Sequence, residues 1–219
     1  MVLRMNLQEK IKDAIFEYDE DKLKNLCSSS INEDKISPIE IVNIIGDVMT
    51  ILGDKFEKEE LMLPELIVAA NIVKTVIDDI LDPAIREKGE VRESKGKVVI
   101  GTVEGDVHSI GKDLVASFLF SSGYEVFNIG VDVPAAEFID KAEEVGADVI
   151  GLSSLVTLSM DFQRQVIEEL KKRGLRDKYK VIVGGAPTSE GWAKKIDADA
   201  WGDDSLDAVT KINQLLAKG

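Results

Sequence analysis

The stretch KVVIGTVEGDVHSIGKD, residues 97–113, joins a β-branched run to a polar turn and the start of a helix. Further runs of this type occur at 124–129, 148–154 and 180–185, with a weaker one at 197–201. Stretches of helical period lie at about 111–122, 134–145, 159–174, 188–196 and 205–217. This alternation with short turns predicts an α/β unit: a doubly wound, parallel, five-stranded sheet with helices on both faces.

The first third of the chain has a different pattern. Residues 7–82 contain no good strand, and apolar residues such as Ile11 and Ile15 repeat at helical spacing. Ser37 followed by Pro38 is typical of a helix start, because serine caps a helix and proline is tolerated in its first turn. The region therefore predicts a small bundle of four helices.

A charged segment separates the two patterns. Residues 82–95, DPAIREKGEVRESK, contain proline, glycine and many charges but no apolar period, which is typical of a linker. We therefore expect a helical domain at 1–82, a linker at 83–95 that permits relative motion, and a sheet domain at 96–219.

Composition excludes several classes of protein. The net charge of −14 argues against a nucleic-acid binder, which needs a basic face. The apolar stretches are far shorter than the roughly 20 residues that span a bilayer, and the first ten residues lack the apolar core of a signal peptide. The single cysteine, Cys27, excludes an internal disulfide or a thiolate cluster. We expect a cytoplasmic protein with no nucleic-acid or membrane partner.

The predicted sheet directs attention to the turns after its first, third and fourth strands, since ligands bind at the carboxyl ends of parallel strands. His108, the only histidine, lies in the first of these turns, two residues after Asp106. A metal-bound imidazole usually donates its second N–H to a carboxylate. Zinc or iron would require further His or Cys ligands that the chain lacks, so the remaining coordination would have to come from a non-protein group such as a macrocycle.

Nucleotide sites of the Rossmann-like or flavodoxin-like kind are the competing interpretation of such a sheet. The first turn contains Gly105 and Gly111 but no G-x-G-x-x-G pattern. The tripeptide GKD at 111–113 lacks the hydroxyl and the upstream spacing of a phosphate loop. Both nucleotide readings are therefore rejected.

Three separated motifs resemble one known signature: Asp106-x-His108-x-x-Gly111, Ser153-x-Leu155 and Gly184-Gly185. They are similar to the base-off, His-on cobalamin domains of methionine synthase, adenosylcobalamin-dependent mutases and corrinoid methyl-carrier proteins. The resemblance implies cobalamin in its methylcobalamin form, with His108 as the lower ligand of cobalt. It also implies that Asp106, His108 and Ser153 act as a coupled unit in which Ser153 hydrogen-bonds Asp106.

The resemblance further implies that the displaced nucleotide tail extends into a slot in the sheet domain. The implied cofactor contacts are Gly105, Asp106, Val107, His108, Ser109, Ile110, Gly111, Ser153, Leu155, Val156, Thr157, Gly184, Gly185 and Ala186. Glycines would let the corrin and its tail approach the backbone. The family commonly has Asp at position 109 and Asn at 113, so Ser109 and Asp113 are departures that alter polarity near the corrin. Trp201 is assigned equally to the tail or to surface packing, whereas Trp192 and Cys27 are assigned to structure.

The segment LGDKFEKEELMLPELIVAA, residues 52–70, resembles the helical cap domain of methionine synthase and the corrinoid carriers. In that family an aromatic residue and a leucine seven positions later cover the methyl-bearing face of the cofactor. Phe56 and Leu63 match these positions; without the cobalamin signature both would be assigned to the bundle core. Met62 is left open between core and cap.

The two-domain layout resembles the corrinoid proteins of methylotrophic methanogens and acetogens, which serve methylamine, methanol or O-demethylase systems. This implies that a substrate-specific methyltransferase delivers a methyl group to cobalt and a second one passes it to coenzyme M or a tetrahydrofolate, in a methyl-Co(III)/Co(I) cycle. A reductive activase is a further implied partner. The alternatives are a cobalamin-dependent sensor or regulator and a storage module. The methyl donor, the acceptor and the lower base of the corrinoid stay open.

Overall fold

A computed structural model describes residues 2–33, 36–89 and 94–217 and omits the side chains of residues 2–5, Glu57, Leu63 and Ser121. The chain divides into two compact units, Met1–Glu93 and Ser94–Gly219. Each unit has its own buried apolar core and is described by itself. Within the described ranges, no helix is both long and apolar enough to cross a membrane.

The first unit is helical. Its helices are α1 (Val2–Phe16), α2 (Glu20–Asn32), α3 (Pro38–Glu57), α4 (Leu63–Val76) and α5 (Asp82–Glu87), with a π-helical turn at Ile77–Leu81. The Asp19 side chain caps α2 by accepting from the Lys22 N–H, and Pro38 opens α3 as the sequence indicates. The core is formed by apolar side chains that recur at helical spacing, among them Ile11, Ile15 and Leu23.

The end of this unit differs from the predicted linker. α4 begins at Leu63, and the π-helical turn and α5 carry the helical path on to Glu87, inside the predicted linker at 83–95. The helix enters the predicted linker because Ile85 is buried there, a single apolar contact too short to produce a periodic signal. Residues 90–93 of the predicted linker lie outside the described residues.

The second unit is a parallel sheet with helices on both faces, which confirms the predicted fold class. Its elements are β1 (Lys97–Thr102), α6 (Ile110–Ser121), β2 (Glu125–Asn128), α7 (Ala135–Val145), β3 (Val149–Ser153), a 3₁₀ turn (Thr157–Ser159), α8 (Met160–Lys172), β4 (Lys180–Gly184), α9 (Glu190–Ile196), β5 (Ala200–Gly202) and α10 (Ser205–Leu216). The strand order is β2-β1-β3-β4-β5 with every described pair parallel.

The topology fixes where a ligand can bind. The chain moves outward from β1 to β2 and then returns to the other side of β1 with β3, so the order reverses between β1 and β3. Thr102 pairs with Ser153 and Ser153 with Gly184, so the three strands end at one level. The loops after β1, β3 and β4 therefore meet at one edge, next to the switch point.

Candidate functional site

The loop between β1 and α6 carries His108 and is attached to its neighbours by several hydrogen bonds. The Thr102 hydroxyl donates to the His108 carbonyl at 2.8 Å. From the loop after β2, the Asp132 carboxylate accepts from the Gly105 N–H at 2.7 Å, and its own N–H donates to the Asp106 carbonyl at 2.9 Å. The backbone around His108 is thus fixed by two strands.

The Asp106 carboxylate is the centre of the site. Asp106 as a whole is only 2% exposed. One carboxylate oxygen accepts from the His108 backbone N–H at 3.0 Å and contacts the His108 Nδ1 at 2.7 Å. The other accepts from the backbone N–H groups of Leu155 at 2.7 Å and Val156 at 3.3 Å, and from the Ser159 hydroxyl at 2.8 Å. This one side chain joins the loops after β1 and β3.

These bonds determine the charge of Asp106. Burial alone would raise its pKa, but hydrogen bonds from the His108 backbone and ring, the Leu155 N–H and the Ser159 hydroxyl outweigh it and hold the pKa far below the usual range. Asp106 is therefore an ionised carboxylate inside the protein. An ionised acceptor at Nδ1 favours the tautomer in which Nδ1 carries the hydrogen.

His108 is arranged as a ligand rather than as a core residue. Its side chain is 52% exposed although its Nδ1 contacts the buried carboxylate. Among the described residues, its Nε2 has no hydrogen-bond partner. With Nδ1 as donor, Nε2 is the nitrogen with a free lone pair, the arrangement that metal-bound histidines show. Within the described ranges, no three His, Cys, Asp or Glu side chains group into a site made of protein ligands alone.

The predicted hydrogen bond between Ser153 and Asp106 is wrong. Ser159, at the end of the 3₁₀ turn, provides the hydroxyl instead. The Ser159 hydroxyl donates to the ionised carboxylate at 2.8 Å, and its oxygen lies 2.7 Å from the Ser154 hydroxyl oxygen. The chain has three serines in this loop, and the turn geometry, which the sequence does not reveal, decides which one reaches the carboxylate.

Apolar side chains on the two loops that Asp106 joins are exposed instead of packing inside the protein. Val107 is 70% exposed and Leu158 89%, and Ile110, Leu155 and Val156 are also exposed. We call these five residues the apolar rim. They come from the loops after β1 and β3, which Asp106 joins. An exposed apolar patch on the loops that also carry a free imidazole nitrogen fits a large, flat, apolar metal complex, so the residues present suit a corrin.

A slot of about 130 Å³ opens at the same edge of the sheet. It is lined by β1, β3, β4 and β5 together with α6 and α10, and its lining is mainly apolar. Gly111, predicted to approach the corrin, and Ser153 and Gly184, predicted to line the tail slot, lie in this lining. A Cβ at Gly111 would meet no described atom within 4 Å, so the glycine leaves space that a ligand can occupy.

Gly185 has a reason to be glycine that is independent of any ligand. Its φ is +117°, and a Cβ there would lie 1.8 Å from the Ser154 carbonyl oxygen. The predicted role of the pair therefore divides: Gly184 lines the slot, whereas Gly185 is required by the close approach of two loops. Ala186 follows as an exposed residue and, like Gly185, Leu155 and Thr157, is not part of the slot lining.

The other predicted residues are placed as follows. Ser109 is the N-cap residue of α6, and Thr157 begins the 3₁₀ turn. The Trp192 indole donates to Gln163, and the Trp201 indole donates to Thr188, so both rings have structural partners. Cys27 is buried in the helical unit, and burial raises its pKa to about 12, which excludes a reactive thiolate.

The proposed cap residues lie in the helical unit. Phe56 is half-buried in the last turn of α3. Leu63 is the first residue of α4, and its side chain is outside the described part of the chain. Their assignment to a cofactor face stays a prediction. Met62, between them, is mostly exposed and thus not a core residue of this unit.

Gln163 was not predicted as a site residue. It is fully buried, and its side chain contacts the ends of both β3 and β4. The sequence contains one signal for it: a polar residue in register with Val166, Ile167 and Leu170 on the buried face of α8.

Comparison with protein families gives two matches that together span most of the chain. A B12 binding domain family matches residues 96–210, and a second B12 binding domain family matches residues 7–90. The sheet unit with its histidine and the helical unit are thus both recognised as parts of cobalamin-binding proteins. Fold, site and family together define a cobalamin-binding protein.

The relatives are corrinoid proteins. A corrinoid protein of Desulfitobacterium hafniense is 41% identical over 98% of this chain and 99% of the relative. Dimethylamine corrinoid protein 3 of Methanosarcina mazei is 47% identical over 77% of this chain and 100% of the relative. The chain therefore belongs to the family of B12-binding corrinoid proteins.

Solved structures agree with this assignment. The methanol:cobalamin methyltransferase complex MtaBC of Methanosarcina barkeri contains a chain with a TM-score of 0.87 and 25% identity, covering 98% of this chain and 81% of that one. A cobalamin-binding protein of Desulfitobacterium hafniense matches with a TM-score of 0.68 and 32% identity over 95% and 98% of the two chains.

Proposed function

We propose that this chain carries a methyl group on the cobalt of cobalamin between a substrate-specific methyltransferase and a second methyltransferase. The observation that carries the proposal is the buried Asp106 carboxylate, which contacts the ring of His108 on the same two loops that expose the apolar rim. The names of the relatives, dimethylamine and trimethylamine corrinoid proteins, support a methyl-transfer system. The chain then acts as a subunit that binds the two methyltransferases in turn.

Each side chain has a defined task. When bound, the corrinoid supplies the cobalt that accepts and releases the methyl group. His108 Nε2 would bind the cobalt from below, and Asp106 would orient the ring and increase its basicity as a ligand. Ser159 and the N–H groups of Leu155 and Val156 position the carboxylate. The apolar rim contacts the corrin and excludes water from its lower face.

The slot receives the nucleotide tail that His108 displaces. Gly111 and Gly184 supply a backbone surface without side chains, and the apolar lining suits an aromatic base. Ser153 lies in this lining and contacts the tail rather than Asp106.

Partner identity is the finer part of the proposal. The resemblance to a chain of a methanol:cobalamin methyltransferase complex supports a methyltransferase as the first partner. The second methyltransferase passes the methyl group to coenzyme M or a tetrahydrofolate. A reductive activase reduces cobalt that has become oxidised back to Co(I). A cytoplasmic location belongs to the same proposal and agrees with the single, buried, unpaired cysteine.

The helical unit is proposed as the cap of the methyl-bearing face, through Phe56 and Leu63. Changing both to Ala tests this. Cobalamin binding stays largely intact, whereas bound methylcobalamin loses its methyl group faster in light because the radical pair is no longer confined. Equal photolysis rates in a folded double variant would assign both residues to the bundle core.

The central test is a transfer assay with the full chain loaded with cobalamin. Methyltransferases specific for monomethylamine, dimethylamine, trimethylamine and methanol are added separately, and methylation of cobalt is followed by visible absorption. We expect methylation with one of them, followed by demethylation when an acceptor methyltransferase and its thiol or folate substrate are added. His108→Ala serves as the matched variant; it shows a water-ligated spectrum and weaker cobalamin binding.

A cobalamin-dependent sensor or a storage module predicts a different outcome. Both would bind cobalamin with His108 as ligand yet show no turnover with any transferase pair. Stable His-ligated binding without methyl transfer would therefore reject methyl carriage while leaving the cobalamin site in place.

A further inference from the structure

Gln163 is a fully buried polar side chain in the first turns of α8. It lies on the same face as Val166, Ile167 and Leu170, which pack in the core of the sheet unit. Burying a side-chain amide is unfavourable unless its hydrogen bonds are satisfied. A polar residue in this position therefore needs a specific set of partners.

The partners of Gln163 come from three different elements. Its Nε2 donates to the Leu152 carbonyl on β3 at 3.0 Å and to the Gly184 carbonyl on β4 at 3.2 Å. Its Oε1 accepts from the Trp192 indole on α9 at 2.9 Å. One amide thus connects the carboxyl ends of two adjacent strands to the helix that follows the second of them.

Both carbonyls belong to residues that line the slot. Leu152 and Gly184 are in its lining; Gly184 is the last paired residue of β4, and Leu152 is the next-to-last residue of β3. β3 and β4 pair along this wall of the slot. Because Gln163 bonds carbonyls of both strands and the Trp192 indole, its amide fixes α8 and α9 to that wall before any ligand enters.

A second group of bonds fixes the loop that continues from Gly184. The Thr188 hydroxyl donates to the Gly185 carbonyl at 2.6 Å, and the Trp201 indole donates to the Thr188 oxygen at 3.0 Å. The Gly185 backbone packs directly on Ser154. The loop beside the slot is therefore pre-organised by side chains outside the slot, which reduces the ordering cost of binding.

We propose that Gln163 is a positioning residue for the nucleotide tail, which selects corrinoids that carry a tail over those that lack one. The inference rests on the proposed function, in which His108 binds cobalt and the slot receives the tail. Gln163 acts through the ends of β3 and β4 and does not touch the corrin ligand His108. Its contribution to affinity is confined to the tail.

The test compares two probes, cobalamin and cobinamide, the same corrin without its nucleotide. Kd for each is measured by visible absorption on the full chain. Gln163→Met keeps the length and burial of the side chain but removes its hydrogen bonds. Gln165→Met, two residues away on the exposed face of α8, is the matched control.

We expect Gln163→Met to raise Kd for cobalamin about 10-fold, the effect of losing roughly 1.4 kcal/mol of hydrogen bonding, and to change Kd for cobinamide less than about 2-fold. Gln165→Met leaves both constants unchanged. Equal changes for the two probes, or no change for either, would overturn the inference. So would a parent chain that binds the two probes equally tightly, since its slot would then take no tail.

If Gln163→Met does not fold, Trp192→Phe tests whether Gln163 contributes to binding of the nucleotide tail. It keeps an aromatic ring and removes only the indole N–H that bonds Gln163. A smaller loss in the same direction, for cobalamin alone, supports the proposal, and an unchanged ratio of the two constants rejects it. A parent chain that binds neither probe would refute the cobalamin site itself, a result distinct from any change in the ratio.

Discussion

Two loops at the same edge of the sheet are fixed by different means. The loop after β1, which carries His108, depends on one buried ionised carboxylate that accepts from three backbone N–H groups, one ring and one hydroxyl. The loop after β4 is fixed by neutral hydrogen bonds from Gln163 and Thr188 and by direct backbone packing of Gly185. The orientation of the His108 ring is thus fixed by a charged side chain, whereas the loop beside the slot is fixed by neutral hydrogen bonds and close packing.

This difference has energetic consequences. Hydrogen bonds to a charged group are stronger than neutral ones, and leaving a buried charge or its donors unpaired is costly. The β1 loop therefore concentrates its stability in Asp106. In the β4 loop the stabilising hydrogen bonds are distributed over several side chains. Only Gly185 is individually required there, because a Cβ at this position would clash with Ser154.

The largest effect is expected at Gly185, where shape alone decides. Gly185→Ala places a Cβ 1.8 Å from the Ser154 carbonyl oxygen at a positive φ, so the backbone has to move. We expect a loss of about 3 kcal/mol or more in unfolding free energy, measured by denaturant titration. Gly111→Ala is the control: its Cβ meets no described atom within 4 Å and lies in a helix, so apoprotein stability holds or rises.

The next effect tests the charge of the β1 loop. Asp106→Asn keeps the shape, but an amide presents N–H groups to donors that need an acceptor. We expect about 2–4 kcal/mol lower apoprotein stability and about 10- to 100-fold weaker cobalamin binding, with loss of the His-ligated spectrum. Asp132→Asn should change each value far less, because among the described residues this exposed carboxylate accepts only from the Gly105 N–H. Equal effects of the two variants would contradict a concentrated role for Asp106.

A smaller effect separates Ser159 from Ser153. Ser159→Ala removes the one hydroxyl that, within the described ranges, donates to Asp106, and we expect about 1 kcal/mol lower stability and a modest loss of His108 ligation. Ser153→Ala leaves the carboxylate bonds intact, so the His-ligated spectrum is retained. A larger spectral change in Ser153→Ala than in Ser159→Ala would support a hydrogen bond from Ser153 to Asp106 and contradict the one from Ser159.

The smallest effect concerns a network on the β2 side of the loop. The buried Lys112 ammonium contacts Asp113 at 2.6 Å and Asn128 at 2.9 Å. Burial alone would raise the pKa of Asp113, but hydrogen bonds from Lys112 and Asn128 lower it, so ionised Asp113 stabilises the folded state above the usual carboxyl range. We expect Asp113→Asn to cost roughly 1 kcal/mol near pH 7. That difference disappears as the pH falls below about 4 and through the lowered pKa.

Unfolding free energies of the parent and of Asp113→Asn between pH 3 and pH 7 would measure this. Two parallel curves would show that the carboxylate contributes no pH-dependent stability.

The helical first region, the alternating second region and the one histidine with an acidic neighbour can all be predicted from the amino-acid sequence. These features are local: period 3.6, period 2 and the spacing of Asp106 and His108 are readable without knowing what packs on what. The helix at Asp82–Glu87 was missed because one buried residue, Ile85, gives no period. Each of the three motifs that predict the cofactor is likewise a short continuous stretch of sequence.

Which side chains contact one another depends on the packing of the folded chain. Ser159 rather than Ser153 bonds Asp106 because the chain turns through a 3₁₀ segment after β3 and brings the later hydroxyl back to the carboxylate. Gln163 reaches the ends of two strands because α8 packs across them, and Gly185 must be glycine because two loops from different strands touch there. Such contacts join residues distant in the chain, and they depend on strand order and register that no local pattern encodes.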